Sequence, residues 1–580
     1  MKLWTKYKSA LFWLAVFLTL FSFLQRFYEY HFYYIEQNQL FQNTWQYIKE
    51  HLFYPGGLAS IISGFLVQFF IVPYAGAGIT SGLLFVIALL TYNIVKKISL
   101  STDSYIISLF PAISLMLIHF DTNYLLTGTI AFILMLVSWL FCLSIKNFTW
   151  RSATHVLITV ILFLVAGPIH MLYALSVTIF ELWNNVSRKY FVLLIIPEAF
   201  LVGFCSVRFS IYETLRLALL PNGYFFNHAI PGNHVYFSWL AFLLVIIFAC
   251  FYGKQKNISK KGRTMIMAIP SILLAIFCWW GIPRYGDRQS TILKGLDYYA
   301  RTEQWDKTLK LCKGRPLVNY LYINYVNIAL GQKGELADHM FSYDQAGIEG
   351  LMISWDMGAF SSMVLSDVYF TMNNISLSQK MAFEAFVSNE SPRMLKRLIQ
   401  TNLIYGAYPI AEKYLDILEN TLFYKSWAKS HRKFLYNDIE IENDPLLSLK
   451  RKSLPKTNYL SKIDGLDKDL QQLAENNPPD RTPIEYAGAI YLLLREIENF
   501  QAMIDTYYGT EILPVLPVSF QEAVIIFSEK NPDYRKRFNI SETIMQRFDE
   551  FRKQMSTGKA TPELLKHSHG DTYWYYYIFK

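Results

Sequence analysis

Residues 26–57, RFYEYHFYYIEQNQLFQNTWQYIKEHLFYPGG, concentrate the side chains of this chain best suited to chemistry. Glu29, Glu36, Asn43 and Glu50 recur every seven residues, so one continuous helix would carry them on a single face. Aromatic rings and Leu40 cover much of the remainder. A segment with polar groups on one side and rings on the other suits the membrane–water boundary. A carboxylate held there can take the proton of an acceptor hydroxyl while a bond to a leaving group breaks. Glu36 is the first candidate for such a base and Glu29 the second, with Arg26 three residues before Glu29 at ion-pair spacing. The plainer alternative for both is the solvated face of an interfacial helix.

Further candidates lie in other short polar stretches. Asp121 follows His119 at the end of an apolar run. It is a second carboxylate that could share a divalent metal with Glu36, or simply cap a turn. Residues 207–234 supply Arg208, Arg216 and His228, and Arg284 follows later. Guanidinium forks match phosphate oxygens, as in a lipid phosphate; anchoring to headgroups is the alternative. Glu198, after Pro197 in an apolar run, is expected to face other helices, because a carboxyl in lipid is costly. His567, His569 and Asp571 read as a polar tail rather than metal ligands. No phosphate-binding glycine loop, dinucleotide fingerprint, HExxH or nucleophile elbow occurs. No motif specifies a cofactor, and a divalent metal is the one possibility that the carboxylates raise.

These groups must be positioned by a membrane half and a water-soluble half. Charged residues are 17% of the chain against about 25% in soluble domains, and residues 1–283 hold nearly all the long apolar runs. A crossing needs about 20 apolar residues. Candidate crossings lie near 9–25, 77–95, 103–119, 123–145, 152–167, 169–183, 190–206, 234–252 and 264–282, and a further run occupies 58–74. If 58–74 lies in the interface without crossing, the basic residues fall on one side. These are Lys2, Lys6, Lys8, Lys96, Lys97, Lys146, Arg151, Arg188, Lys189 and the cluster from Lys254 to Arg263. The positive-inside rule then selects about nine crossings, an inside N-terminus, a long first outer loop at 26–76 and an outside C-terminal half. The N-terminus lacks a small-x-small cleavage site and reads as an uncleaved first span. The five cysteines form no CxxC and read as packing residues.

The expected fold class is all-α: a polytopic helical membrane domain with interfacial helices, followed by a tetratricopeptide-like α-solenoid. Residues 284–435 show paired helical patterns with small residues at the turns, such as Gly406 and Ala411. Residues 436–481, with Pro445, Pro455, Pro478 and Pro479, read as an irregular connection, and 482–580 as a second helical block with an aromatic tail. The net charge of +9 comes largely from short loops, with no basic face for nucleic acid on the soluble half.

The layout resembles the GT-C superfamily of membrane glycosyltransferases over roughly residues 1–283. Glu29 and Glu36 follow the first span, 38–52 and 58–74 stand in for interfacial helices, and Asp121 sits in the second outer turn. Gln37 follows Glu36 where that layout usually has a second acid. The resemblance implies transfer of a sugar from a polyprenyl phosphate to an acceptor on the outer face of the cytoplasmic membrane. YYIEQNQLF, YPGGL, AEKYLDILENTLFYKSWA and DTYWYYYIF make the chain similar to an uncharacterised family of bacterial multi-pass membrane proteins, which implies no particular activity. The second reading is a non-enzymatic membrane platform whose helical-repeat half recruits protein or glycan partners. A transporter, the third, requires ionisable groups paired deep in several spans, and Glu198 alone stands out.

Overall fold

The computed structural model describes residues 2–99, 105–184, 192–226, 229–253, 260–286, 288–315, 317, 319–456, 465–529, 531–556 and 561–580. Among them the regular elements are all helices, and β pairing is confined to two isolated bridges. The chain divides into two compact units, Met1–Thr291 and Ile292–Lys580.

Unit 1 begins with α1, Lys2–Glu36, which contains neither Pro nor Gly. Its one break is at Tyr28, whose φ/ψ of −130°/17° is not helical. There the Tyr28 ring stacks on Phe120, centroids 4.2 Å apart, and its hydroxyl donates to Gly286 O at 3.0 Å. The helix therefore runs through the first eleven residues of the expected outer loop, 26–36. It ends where Asn38 turns back and donates from Nδ2 to Tyr34 O at 3.2 Å, a local bond that competes with helix continuation. Residues 37–44 are not helical, and Glu50 lies on a separate helix, α2 (Trp45–Leu52). The single face expected for Glu29, Glu36, Asn43 and Glu50 is thus broken. α2 is capped by Thr44, buries no residue, and is flanked by exposed Trp45, Phe53 and Tyr54.

The remaining helices are α3 (Gly57–Val67), α4 (Ala75–Ser99), α5 (Phe110–Ile118), α6 (Thr127–Cys142), α7 (Phe148–Ala166), α8 (Ile169–Asn184), α9 (Ile195–Arg208), α10 (Leu215–Leu219), α11 (Phe237–Gly253) and α12 (Lys260–Tyr285). Among the described residues five segments are long and apolar enough to cross a membrane: Ser9–Glu36, Ala75–Ser99, Phe148–Ala166, Asn233–Tyr252 and Ala268–Tyr285. They correspond to five of the nine expected crossings. The helices of the other four runs, α5, α6, α8 and α9, have 9, 16, 16 and 14 residues, short of the length a crossing needs. The 58–74 run is likewise split into α3 and a 3-10 turn, Gln68–Ile71. Small residues let these helices approach closely. A Cβ at Gly76 would lie 2.5 Å from the Phe32 Cβ, and one at Gly281 would lie 2.5 Å from a Leu117 methyl.

Unit 2 is built from successive packed helices, such as Ala359–Thr371 with Ile375–Ser388 and Pro392–Tyr405 with Tyr408–Glu419. The second pair turns at Gly406, whose φ of 73° suits glycine. The stretch read as irregular, 436–481, carries the helices Asp438–Asn443, Pro445–Lys452 and Leu466–Asn476. Pro445 starts the second of these helices, the first-turn position that proline tolerates, and Asp444 caps it by accepting from Leu446 N and Leu447 N. The aromatic tail packs into the core: Tyr573 and Trp574 are fully buried, and Tyr576 donates to Leu493 O at 3.0 Å.

A buried ion network ties this unit together. Arg393 pairs with Asp297 at 2.5 Å and with Asp367, which also accepts from Arg397 at 2.9 Å, and Tyr325 donates to Asp297 at 2.8 Å. Burial pushes the Asp367 carboxyl up, but the two guanidinium groups outweigh it and hold the carboxyl below its ordinary range. Arg393→Ala leaves two buried carboxylates short of a partner, so a loss of about 3–5 kcal/mol is expected in denaturant unfolding of the purified chain. Two other buried acids have the opposite balance. Burial raises Glu485 to about 7 and Glu522 to about 8, against hydrogen bonds from Ala337 N (3.3 Å) and Tyr573 N (2.7 Å). Their folded pKa values exceed the unfolded ones, so the native state binds the extra protons. Their contribution to stability therefore falls as pH rises from about 4.5 through 8. Thermal unfolding across this range is expected to show that slope, and Glu522→Gln, which keeps the acceptor without the charge, is expected to flatten it.

Candidate functional site

Short turns between helices leave backbone polar groups that must be satisfied within the protein where lipid surrounds it. At one end of unit 1 tyrosines do this. The Tyr224 hydroxyl donates to Ala166 O at 2.6 Å and accepts from Ile169 N at 2.9 Å, closing the α7–α8 turn. That turn holds Gly167 at φ 77°, with Gly56 packed against its backbone and Gly56 N donating to Leu164 O at 2.9 Å. Tyr212 donates to Pro55 O at 3.4 Å. Leu125 N donates to Tyr224 O at 2.9 Å and Phe226 N to Asn123 O at 3.1 Å, a bridge joining the α5–α6 turn to the segment after α10. With the Tyr28–Phe120 stack and the Tyr28–Gly286 bond, the turns at 53–57, 119–126, 164–170 and 207–226, the α1 kink and the end of α12 gather into one cluster.

Several predicted residues meet here. Asp121 Oδ1 accepts from Asn123 N at 2.9 Å and Asn123 Nδ2 at 3.1 Å, so it shapes its own turn. It also lies within electrostatic reach of His234, whose ring packs on Tyr285 at 4.7 Å. Asn222, with its amide oxygen toward the guanidinium, accepts from Arg216 Nε and Nη2 at 3.2 Å and donates to Tyr236 at 2.9 Å. Arg208 is exposed at the end of α9. Arg284 is exposed and lies over the Trp280 ring at 5.8 Å. His228 lies outside the described residues.

Glu36 and Glu29 are placed differently from the solvated face expected. Glu36 is 2% exposed and accepts from Gln37 Nε2; His31, Gln37 and Asn38 are buried beside it in the chain. It ends α1 two helical turns past Tyr28, about 12 Å along the axis from the ring stack beside Asp121. Glu29 is half-buried and accepts from Tyr33 at 3.2 Å. Among the described residues no group of three or more His, Cys, Asp or Glu is placed to hold a metal ion. Glu198 is half-buried, and its Oε2 has no hydrogen-bond partner.

Sequence reasoning missed a buried polar chain linking α6, α7 and α8. Arg151 grips Glu181 with Nε at 2.6 Å and Nη2 at 2.8 Å, and His155 Nε2 lies 3.7 Å from the same carboxylate. His155 Nδ1 contacts the Tyr173 hydroxyl at 2.7 Å, which contacts Cys142 Sγ at 3.3 Å. Arg151, His155 and Thr159 fall four apart in an apolar helix, and that spacing was the available signal. This is one ionisable pair of the kind that Glu198 alone had suggested. Lys97 shares this end of the unit: it donates to Leu140 O at 3.4 Å and Ser144 Oγ at 3.1 Å, while Arg151 donates to Ile145 O at 3.2 Å.

No curated protein and no solved structure matches this chain. Residues 4–580, nearly the whole chain, match a family of unknown function, DUF6057, and the chain belongs to that family.

Proposed function

We propose that this chain is a GT-C-like membrane glycosyltransferase. It moves a sugar from a polyprenyl-phosphate donor to an acceptor on the outer face of a bacterial cytoplasmic membrane. The observation that carries this reading is the clustering of Asp121, His234 and Arg216 among turns knitted into one end of unit 1, with Arg284 at the end of α12. Asp121, rather than buried Glu36, is then the base. It takes the acceptor hydroxyl proton as the new glycosidic bond forms and the sugar–phosphate bond breaks. Arg216 and Arg284 offset the charge left on the departing phosphate.

Orientation is supported by charge and by parity. The five candidate crossings among the described residues are odd in number, as the nine expected ones are, a parity that supports a C-terminal half opposite the N-terminus. The end bearing Lys97 and Arg151 is the inner one by the positive-inside rule, which puts the Asp121 cluster outside. Unit 2 then docks the acceptor, a glycan or a partner protein, on its tetratricopeptide-like helical pairs. The existence of unit 2 as a separate core also favours the second reading, a non-enzymatic platform for such partners.

With the purified chain in liposomes containing sugar-loaded polyprenyl phosphates, Asp121→Asn is expected to lower transfer at least about a hundredfold without changing the melting temperature. Arg216→Gln is expected to weaken donor use. Full transfer in Asp121→Asn contradicts the mechanism. Absence of transfer in the parent chain, with retention of an outer-face partner, favours the platform.

A further inference from the structure

We propose that the buried chain Cys142–Tyr173–His155–Glu181 is a proton-binding site of unit 1, in which one proton on His155 reverses the hydrogen bonds behind it. The site lies on α6, α7 and α8, outside the Asp121 cluster, and does not rest on the transferase reading. His155 is fully buried, about 10 Å inside the start of α7 at 1.5 Å per residue. Its Nδ1 meets the Tyr173 hydroxyl at 2.7 Å. Its Nε2 has no hydrogen-bond partner among the described residues and faces Glu181 Oε1 at 3.7 Å. The same oxygen accepts from Arg151 Nε at 2.6 Å, while Oε2 accepts from Arg151 Nη2 at 2.8 Å. The other elements packed on α7 add no charge beside the ring. α3 has no ionisable residue, and on α9 Glu198 is within electrostatic reach of no charged group among the described residues, while Arg208 is exposed at the helix end. His170, at the far end of α8, has its ring nitrogens on Gly167 O and Ala199 O.

Glu181 dictates where the neutral ring keeps its hydrogen. A bare Nε2 would set its lone pair against a carboxylate, so Nε2 carries the hydrogen and Nδ1 accepts from the Tyr173 O–H. The Tyr173 oxygen is then open to Cys142, whose S–H donates to it across 3.3 Å. A further proton binds at Nδ1, the one ring nitrogen with a free lone pair. The new N–H donates to the Tyr173 oxygen, the Tyr173 O–H turns to Cys142 Sγ, and the Cys142 S–H leaves the tyrosine. The only new covalent bond is that N–H, and the site gains one positive charge. An isolated cation there would be costly, but Glu181 already stands beside it. His155 Nε2 and Arg151 Nε then share Oε1, while Arg151 keeps Nη2 on Oε2. The Arg151 side chain is 15% exposed where those of Glu181 and His155 are closed off, so the arginine carries the excess charge at the rim, near water.

The test uses the purified full-length chain in nanodiscs, with the proton itself as the ligand. Infrared spectra and magnetic resonance spectra of isotope-labelled histidine are taken at about pH 8 and about pH 5, the range over which histidine changes charge. The Cys142 S–H band is assigned by its loss in Cys142→Ala, or in Cys142→Ser if the first variant does not fold, and the His155 ring signals by their loss in His155→Gln. At the lower pH both nitrogens of His155 are expected to carry hydrogen, and the Cys142 band is expected to shift as its bond to Tyr173 is lost. In Tyr173→Phe the Cys142 band is expected to be the same at both pH values. Arg151→Gln, which leaves Oε1 to His155, is expected to move proton uptake about one pH unit to the alkaline side, about tenfold in proton affinity. A His155 ring that stays neutral at the lower pH overturns the proposal. So does a Cys142 band that stays in place while the ring is charged, or one that shifts equally in Tyr173→Phe.

Discussion

A backbone amide or carbonyl inside lipid must find its partner within the protein, and unit 1 is organised by how it meets that demand at its turns. Five helices satisfy themselves along their length. The shorter ones meet in turns that would leave groups exposed, and Tyr224 closes one of these with a single hydroxyl that donates to Ala166 O and accepts from Ile169 N. Because the Tyr224 backbone also pairs with Leu125, the same residue fixes the α5–α6 turn that carries Asp121. The polar groups proposed for chemistry are gathered by a solution to a hydrogen-bonding problem.

The two units manage buried charge by different means. In unit 1, Glu181 is gripped by both arms of Arg151 and flanked by His155, a low-cost arrangement because the fork matches the carboxylate. In unit 2, Arg393 sits between two aspartates, and Arg397 lies 3.6 Å from the Phe370 ring centroid while bonding Asp367. Glu485 and Glu522, by contrast, each accept from a backbone amide and feel an arginine, Arg481 or Arg547, only at a distance, so burial governs them.

Much of the architecture was legible in sequence. Apolar runs marked the longer helices of unit 1 by position, α2 and α10 lying outside them, and glycine at 406 marked a turn of unit 2. Helix length was not legible, because hydropathy does not register a break made among apolar residues, as where the 58–74 run passes from α3 into the 3-10 turn Gln68–Ile71. The register of Glu29, Glu36, Asn43 and Glu50 misled because Asn38 ends the helix between them, a local bond that a seven-residue period does not reveal. The site was half legible. Asp121, Arg216 and Arg284 stood out as polar groups in short stretches. Tyr224 and Glu181 did not, since their partners lie 55–58 and 30 residues away in the chain.

The most direct measurement is the side of the membrane on which the turns lie. Single cysteines at Asn123, Arg208 and Lys97, all exposed positions in the structure, are treated with a membrane-impermeant maleimide in intact cells and again after permeabilisation. The account predicts that the cysteines at 123 and 208 label in intact cells, and that the one at 97 labels only after permeabilisation. Labelling of 123 and 208 from opposite sides, or of 97 together with them, contradicts it.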